Sequence, residues 1–212
     1  MSEKIAVVGG TGKLGAAIAR RLAKAGRTVL IGSRSAESAE RTAAELGFGL
    51  VGLSNLDAAR EADLIIVTVP FAAQAATLME IAPHCAGKIV VDTTVPLVPP
   101  KVMRVQLPPE GSAAQRAQLQ LGESVTVVSA FHNVAAHKLA TDADIECDVL
   151  VFGDDKPARD KVVELAGAMG LRALHAGALG NSAAAEALTS ILIFINKHYD
   201  AGDAGIRITG RL

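Results

Sequence analysis

The sequence predicts an α/β architecture: a doubly wound, mostly parallel sheet with a small C-terminal helical part. Three observations predict it. Short Val/Ile/Leu runs alternate with Ala-rich stretches of helical character along most of the chain. The runs are continuous rather than interleaved with polar residues, the pattern of strands buried on both faces, as in parallel sheets. A glycine-rich segment separates the first run from the first helical stretch.

The elements follow in order. Ile5-Ala6-Val7-Val8 reads as the first strand, and Leu14 to Ala25 as the first helix with Gly26 as its stop. Thr28-Val29-Leu30-Ile31 is the second strand, and Ala36 to Leu46 the second helix with Ser35 as its cap. A weaker run at Leu50 to Leu53 reads as a third strand, after which Asn55 is expected to cap a short helix. The strongest run, Leu64 to Val69, stops at Pro70, and a helix is expected over Ala72 to Ile81. Further strands are read at Ile89 to Val91, Val125 to Ser129 and Val149 to Phe152. Thr93 to Gly111 carries five prolines and reads as a long loop, either over the ligand-binding edge of the sheet or plain surface. Asn181 to Tyr199 reads as one long apolar helix. The division expected is 1–177 for the main domain and 178–212 for a C-terminal helical segment.

Composition bounds the function. The 212 residues are 50% hydrophobic but only 3% aromatic, so Ala, Val, Leu and Ile must build the core. A net charge of -1 offers nothing that attracts nucleic acid or an anionic membrane. Mean hydropathy is positive, yet the runs Leu64 to Phe71 and Leu188 to Ile195 fall short of the roughly 20 apolar residues of a membrane span. A strand pattern beginning at Ile5 leaves no room for a signal peptide. Cys85 and Cys147 form no metal-ligand spacing or disulfide framework, so a reducing cytoplasm is expected.

Gly10-Thr11-Gly12-Lys13-Leu14-Gly15 is a G-x-G-x-x-G placed between a strand and a helix, the context that gives this motif meaning. Gly10 is expected to permit the tight turn, Gly12 to let backbone approach a pyrophosphate, and Gly15 to let helix and strand pack closely. The helix N-terminus then offers free N–H groups to the phosphates. This is a Rossmann-type dinucleotide site. An NAD site places a carboxylate at the end of the second strand; here that strand runs into Gly32-Ser33-Arg34. Arg34 suits the 2′-phosphate of NADP, with Ser33 and Thr11 as hydroxyl donors.

Acid–base candidates are few. His132 directly follows the strand ending near Ala130 and is the best-placed ionisable side chain, either facing the nicotinamide or merely shaping the pocket. Asp154-Asp155 precedes a Pro-initiated helix and reads as helix capping. Asp92 ends a strand without an evident role. Carbonyl reduction needs a proton donor beside the oxygen. A hydride passed between two cofactors needs two rings held face to face in a dry cleft, and an apolar chain suits that task better.

The sequence resembles the NADPH:coenzyme F420 oxidoreductases (F420-dependent NADP reductases), nearly end to end. The likeness is carried by Gly9-Gly10-Thr11-Gly12-Lys13-Leu14-Gly15, Gly32-Ser33-Arg34, Val127-Val128-Ser129-Ala130-Phe131-His132, Gly153-Asp154-Asp155, His175 to Ser182 and Gly205-Ile206. It implies hydride transfer between C4 of a nicotinamide and C5 of a 5-deazaflavin, with no acid–base residue and with His132 positioning the rings. The cleft implied is walled by Val69, Pro70 and Phe71, by Pro96, by His132 and Val134, and by Ala204-Gly205-Ile206. The resemblance also implies a homodimer, with the C-terminal part closing the cleft.

The chain departs from that family at Ser38, which stands where a lysine helps hold the 2′-phosphate, and at Phe71 and Ala135, which replace Trp and Pro. Asp92 to Pro96 is only partly similar. Lys101, Arg104, Lys138 and Arg207 are the cations available to the coenzyme's anionic tail. Alternatives are an NADP-dependent imine, small-molecule or flavin reductase, and a non-catalytic NADP(H) redox sensor. A hydroxyacid reductase is disfavoured because Ala183 to Asn196 has no lysine.

Overall fold

The computed structural model describes residues 3–211. Six parallel strands form the main sheet in the order β3-β2-β1-β4-β5-β6. They are β1 (Lys4–Val8), β2 (Thr28–Ser33), β3 (Val51–Ser54), β4 (Leu64–Val67), β5 (Ile89–Asp92) and β6 (Thr126–Ser129). Helices α1 (Lys13–Lys24), α2 (Ala36–Leu46), α3 (Asn55–Glu61), α4 (Phe71–Ile81) and α5 (Ala113–Leu121) connect them. Alternate residues of β1 serve opposite faces. Ile5 and Val7 join one buried cluster with Ile18, Leu22 and Ile31, while Ala6 and Val8 join another with Ile65, Leu78 and Val90. That double burial is why the strands are continuous apolar runs.

Sequence order reverses between β1 and β4, the point where such sheets bind ligands at their C-terminal edge. The glycine loop follows β1, and Thr68-Val69-Pro70 follows β4; Thr68 donates from its N–H to the Val8 carbonyl at 2.9 Å, tying the two exits together.

Several expectations need correction. Val149 to Phe152 is not another strand of the main sheet. β7 (Asp148–Val151) pairs in parallel with β8 (Arg172–His175), a strand the sequence pattern did not reveal, to make a separate two-stranded sheet. Phe152 alone bridges back to Ser129 at the main sheet's edge. Asn55 does not cap α3: Ser54 does, its Oγ accepting from the Asp57 N–H at 3.0 Å. Asp155 caps α7 (Lys156–Ala168), but Asp154 instead accepts from the Leu179 N–H at 3.0 Å. Helices α5 and α6 (Ala136–Leu139) also went unread, being short and hidden among loops.

The last helix, α8 (Ser182–Tyr199), matches expectation within a residue. With its preceding turn, Leu179–Tyr199 is long and apolar enough to cross a membrane. In the fold, however, it is anchored by its polar residues. Glu186 accepts from the N–H groups of Ala113 and Ala114 at 2.6 and 3.1 Å, and Ser182 bonds Ser112 at 2.9 Å.

Candidate functional site

The glycine loop is shaped by contacts that leave no room for side chains. Gly9, rather than Gly10, carries the tight turn, with φ of 75° in the left-handed region. Gly10 is demanded by packing: a Cβ there would fall 2.7 Å from the Val7 carbonyl oxygen. At Gly15 a Cβ would fall 2.4 Å from Thr68 Oγ1 and 2.8 Å from Gly10 Cα, so α1 lies directly against the strand exits. Gly12 differs, because its nearest obstacle is 3.4 Å away. Its freedom faces outward, where Thr11, Gly12 and Lys13 are exposed. Gly12 is the N-cap of α1, no side chain caps that helix, and no acidic residue occupies its first turn. The free N–H groups and positive end of the helix therefore suit a pyrophosphate.

Asn55 completes the loop. Its side chain is buried, its Oδ1 accepts from the Gly9 N–H at 3.2 Å, and it packs against Gly32 on β2. The sequence pattern suggested only a helix cap for it.

Two cavities meet at the switch point. The first, about 270 Å³, is lined by Gly9, Thr11, Gly12, Ser33, Arg34, Asn55, Thr68, Val69, Pro70, Ala73 and Thr77. Arg34 is exposed and forms no ion pair among the described residues. The second, about 340 Å³, is mostly apolar and is lined by Gly12, Lys13, Leu14, Thr68, Val69, Pro70, Thr93, Thr94, Val95, Leu97, Phe131, His132, Val134 and Thr189. Gly12, Thr68, Val69 and Pro70 wall both cavities. Two adjoining cavities that share a wall suit an elongated dinucleotide.

His132 sits on a rigid turn. Phe131 before it has φ of 67°, a strained value for a bulky residue, and is buried. The Thr189 hydroxyl donates to the His132 carbonyl at 3.0 Å, and Asn133 Nδ2 donates to the Asp148 carbonyl at 2.9 Å. The imidazole is buried, with Nε2 2.8 Å from Ser129 Oγ and Nδ1 without a partner among the described residues. Burial pushes its pKa down to about 4, so it is neutral at physiological pH.

Behind the wall lies a buried carboxylate network. Asp92 accepts from Gln74 Nε2 at 2.6 Å and from the hydroxyl and N–H of Thr94 at 2.6 and 3.1 Å. Burial raises Asp92 to about 6 and Glu186 to about 7. Asp92 therefore shapes the cleft through Thr94 and does not itself line it.

Other expected residues fall elsewhere. Ser38 is engaged at the start of α2, where its N–H donates to Ser35 Oγ, and it does not line the first cavity. Phe71 lies beneath Arg116, whose guanidinium is 4.8 Å from the ring centroid. Pro96 is buried, while its neighbours Val95 and Leu97 face the cleft. Ala204 donates its N–H to Asn196 Oδ1 at 2.7 Å. Gly205 and Ile206 line a third cavity of about 210 Å³, with Asn133, Lys138, Cys147, Asp203 and Arg207. The cause is the pinning of the C-terminal segment along β7. The Ile206 carbonyl accepts from the Asp148 N–H at 2.8 Å, and the Ile208 N–H donates to the Asp148 carboxylate at 2.6 Å. Thr93 and Thr94, in the loop read either as covering the ligand-binding edge or as plain surface, line the cleft; Thr68, Phe131 and Thr189 were missed, and only the strand-end position of Thr68 offered a signal.

Fold and site together define a dinucleotide-dependent oxidoreductase with an open second cleft. Comparisons with known proteins narrow this class. The sequence pattern of the family described as "NADP oxidoreductase coenzyme F420-dependent" matches residues 4–96. The chain is 40% identical to the F420-dependent NADP reductase of Methanocaldococcus jannaschii, over 97% of this chain and 98% of that protein. It is 39% identical to the F420-dependent NADP reductase of Methanothermobacter thermautotrophicus, over 99% of this chain and 96% of that one. This chain belongs to the F420-dependent NADP reductase family. In fold it matches a solved Arthrobacter sp. FB24 protein described as a candidate F420-dependent NADP reductase, with a TM-score of 0.86 at 24% identity, covering 97% and 99% of the two chains. An imine reductase from Bacillus cereus shares the fold with a TM-score of 0.68 at 17% identity, covering 94% of this chain and 63% of that one.

Proposed function

We propose that this protein is an F420-dependent NADP reductase, moving a hydride between NADP(H) and the 5-deazaflavin coenzyme F420. The observation that carries the reading, beside the family, is the pair of cavities sharing Gly12, Thr68, Val69 and Pro70. When both are bound, the nicotinamide supplies or takes the hydride at C4 and the deazaflavin at C5.

The chain's own residues bind, orient and exclude water. Thr11, Gly12, Lys13 and Leu14 hold the pyrophosphate, and Ser33 and Arg34 hold the 2′-phosphate; the unpaired guanidinium of Arg34 supports this. Val69, Pro70, Phe131, His132, Val134 and Thr189 clamp the rings, with a neutral His132 acting as a positioning group and not as an acid. No proton moves at the reacting carbons, and the one proton that reduction of the deazaflavin also consumes is exchanged with water at a ring nitrogen, so the cleft needs no acid at C4 or C5. Lys138 and Arg207 share the third cavity with Glu146 and Asp203, so its charges balance and it makes a poor anion site.

Within the C-terminal segment, α8 closes one side of the cleft, a role supported by Thr189 in its wall. We infer a homodimer through this helix, which leaves Ile191 and Phe194 about half exposed. A cytoplasmic setting, with both cysteines kept reduced, belongs to the same reading.

The test is an absorbance assay with purified protein, oxidised coenzyme F420 and either NADPH or NADH. Rapid loss of the deazaflavin's visible absorbance with NADPH and little with NADH is expected. Tight NADPH binding without bleaching would remove the coenzyme from the account.

A further inference from the structure

Ser129 closes β6 and is fully buried. Among the described residues its hydroxyl has one partner, His132 Nε2 at 2.8 Å. The imidazole is 6% exposed and lines the cleft, and its other nitrogen, Nδ1, is buried without a hydrogen-bond partner.

A neutral imidazole has one donor nitrogen and one acceptor nitrogen, so two arrangements compete. If Nε2 carries the proton, it donates to Ser129 Oγ. The serine proton then has no acceptor and the Nδ1 lone pair has no donor, leaving two unmet polar groups in a buried place. If Nδ1 carries the proton, the serine hydroxyl donates to Nε2 and only Nδ1–H is unmet. Unmet buried polar groups are unfavourable, so the second arrangement wins. The cationic form is absent at neutral pH, because burial holds the ring's pKa near 4.

We propose that Ser129 is a positioning residue that locks His132 as its Nδ1–H tautomer, and that this N–H, covered and unmet in the ligand-free fold, becomes a donor to a carbonyl oxygen when a ring seats against His132 in the cleft. The turn around His132 supports this role. The strained Phe131, the Thr189 bond to the His132 carbonyl and the Asn133 bond to the Asp148 carbonyl fix the backbone on both sides of the ring. A rigid, single-tautomer donor favours a ring that presents an acceptor and rejects one that presents a donor there. The ligand half of the proposal rests on the coenzyme reading above; the tautomer half does not. Carbonyl oxygens occur both on the nicotinamide carboxamide and on the deazaflavin pyrimidine ring, so kinetics must separate them.

The tautomer is read by ¹⁵N NMR of histidine-labelled, ligand-free protein at pH 7.5, with the His132 signal among the five histidines identified by its loss in His132→Gln. The expected spectrum has a protonated Nδ1 and an unprotonated Nε2, turning mixed or Nε2-protonated in Ser129→Ala. An Nε2–H or averaged signal in the native protein, or an unchanged tautomer in Ser129→Ala, overturns the lock.

Steady-state kinetics test the donor. An Asn side chain places its amide N–H near the Nδ1 position and Gln places it near Nε2. His132→Asn is therefore expected to be milder than His132→Gln. Ser129→Ala should raise one substrate's KM about three- to tenfold, the scale of one neutral hydrogen bond, and should add nothing in the His132→Asn background. The substrate whose KM moves, coenzyme F420 or NADPH, identifies the ring that supplies the carbonyl. The reverse order, or an undiminished Ser129 effect in the Asn background, contradicts the proposal. Failure of the native protein to use the coenzyme would overturn the functional reading and the assignment of the donor to it, while the spectrum still decides the tautomer.

Discussion

The two cavities that meet at Thr68 are built in opposite ways. The first draws its decisive residues from neighbouring pieces of chain: the loop from Gly9 to Gly12 and the strand end at Ser33-Arg34, with Asn55 close behind. The second gathers Leu14, Thr93, Phe131, His132 and Thr189, which only the finished sheet and the docking of α8 bring together. The first cavity is packed tightly around Gly9, Gly10 and Gly15 and tolerates little change there. The second is assembled over long range, so its specificity rests on whether distant elements seat correctly.

The largest expected effect attacks the tightly packed side. Gly15→Ala forces a Cβ to 2.4 Å from Thr68 Oγ1 and 2.8 Å from Gly10 Cα. We expect a stability loss of about 3 kcal/mol or more, the upper end for overpacked sites because backbone stands in the way, read as a lower Tm. An unchanged Tm would show that the loop yields more than its contacts imply.

Arg34→Ala should weaken NADP binding by about 1.5–3 kcal/mol, the scale of a charge-assisted bond, and leave NAD binding nearly unchanged. Titration calorimetry with both nucleotides checks it, and equal losses for the two would place the guanidinium away from the 2′-phosphate. Asn55→Ala frees the Gly9 N–H and should raise the KM for NADPH with little change in kcat, corresponding to about 1 kcal/mol. A kcat-only effect would assign Asn55 a different role.

The smallest expected effect probes the long-range side through pH. Glu186 titrates near 7 in the fold against 4.5 for the free group, and Asp92 near 6 against 3.8. Both pKa values are raised, so the folded protein binds the extra protons, and stability should rise as pH falls from 8 towards 6.5. Below about 6.5 the buried His132, depressed to about 4, works against this gain, because the unfolded chain takes up its proton first. Thermal melts from pH 8 to 6.5 should show the rise, and Glu186→Gln should flatten it. An equal slope in that variant would mean that α8 docks without regard to its buried carboxyl.

The same contrast explains what could be read without coordinates. The β1–loop–α1 unit, Ser35 as a cap and the Ser33-Arg34 position follow from short-range chemistry: strand period, helix capping and glycine spacing. Val69, Pro70, His132 and Val134, which the resemblance put around the cleft, line the second cavity, and Lys13 and Leu14 of the phosphate loop line it too. Asn55 was misread because a residue at a helix start ordinarily caps its own helix, whereas this one is drawn to Gly9, 46 positions away. The pairing of β7 with β8 was missed because β8 is half exposed and short, lacking a buried strand's apolar signature. Ala204 to Ile206 could not be placed from sequence, since Asp148, on another strand, decides where that segment lies.

The two cavities hold one dinucleotide between them only if its nicotinamide meets the deazaflavin face to face in the second cavity. The most direct test is a single turnover with NADPH carrying deuterium at both C4 positions and oxidised coenzyme F420, followed by mass analysis of the reduced deazaflavin. Direct transfer between rings stacked in the second cavity predicts one deuterium at C5 and none lost to water. Reduced coenzyme without the label, or label found in solvent, would contradict a face-to-face site.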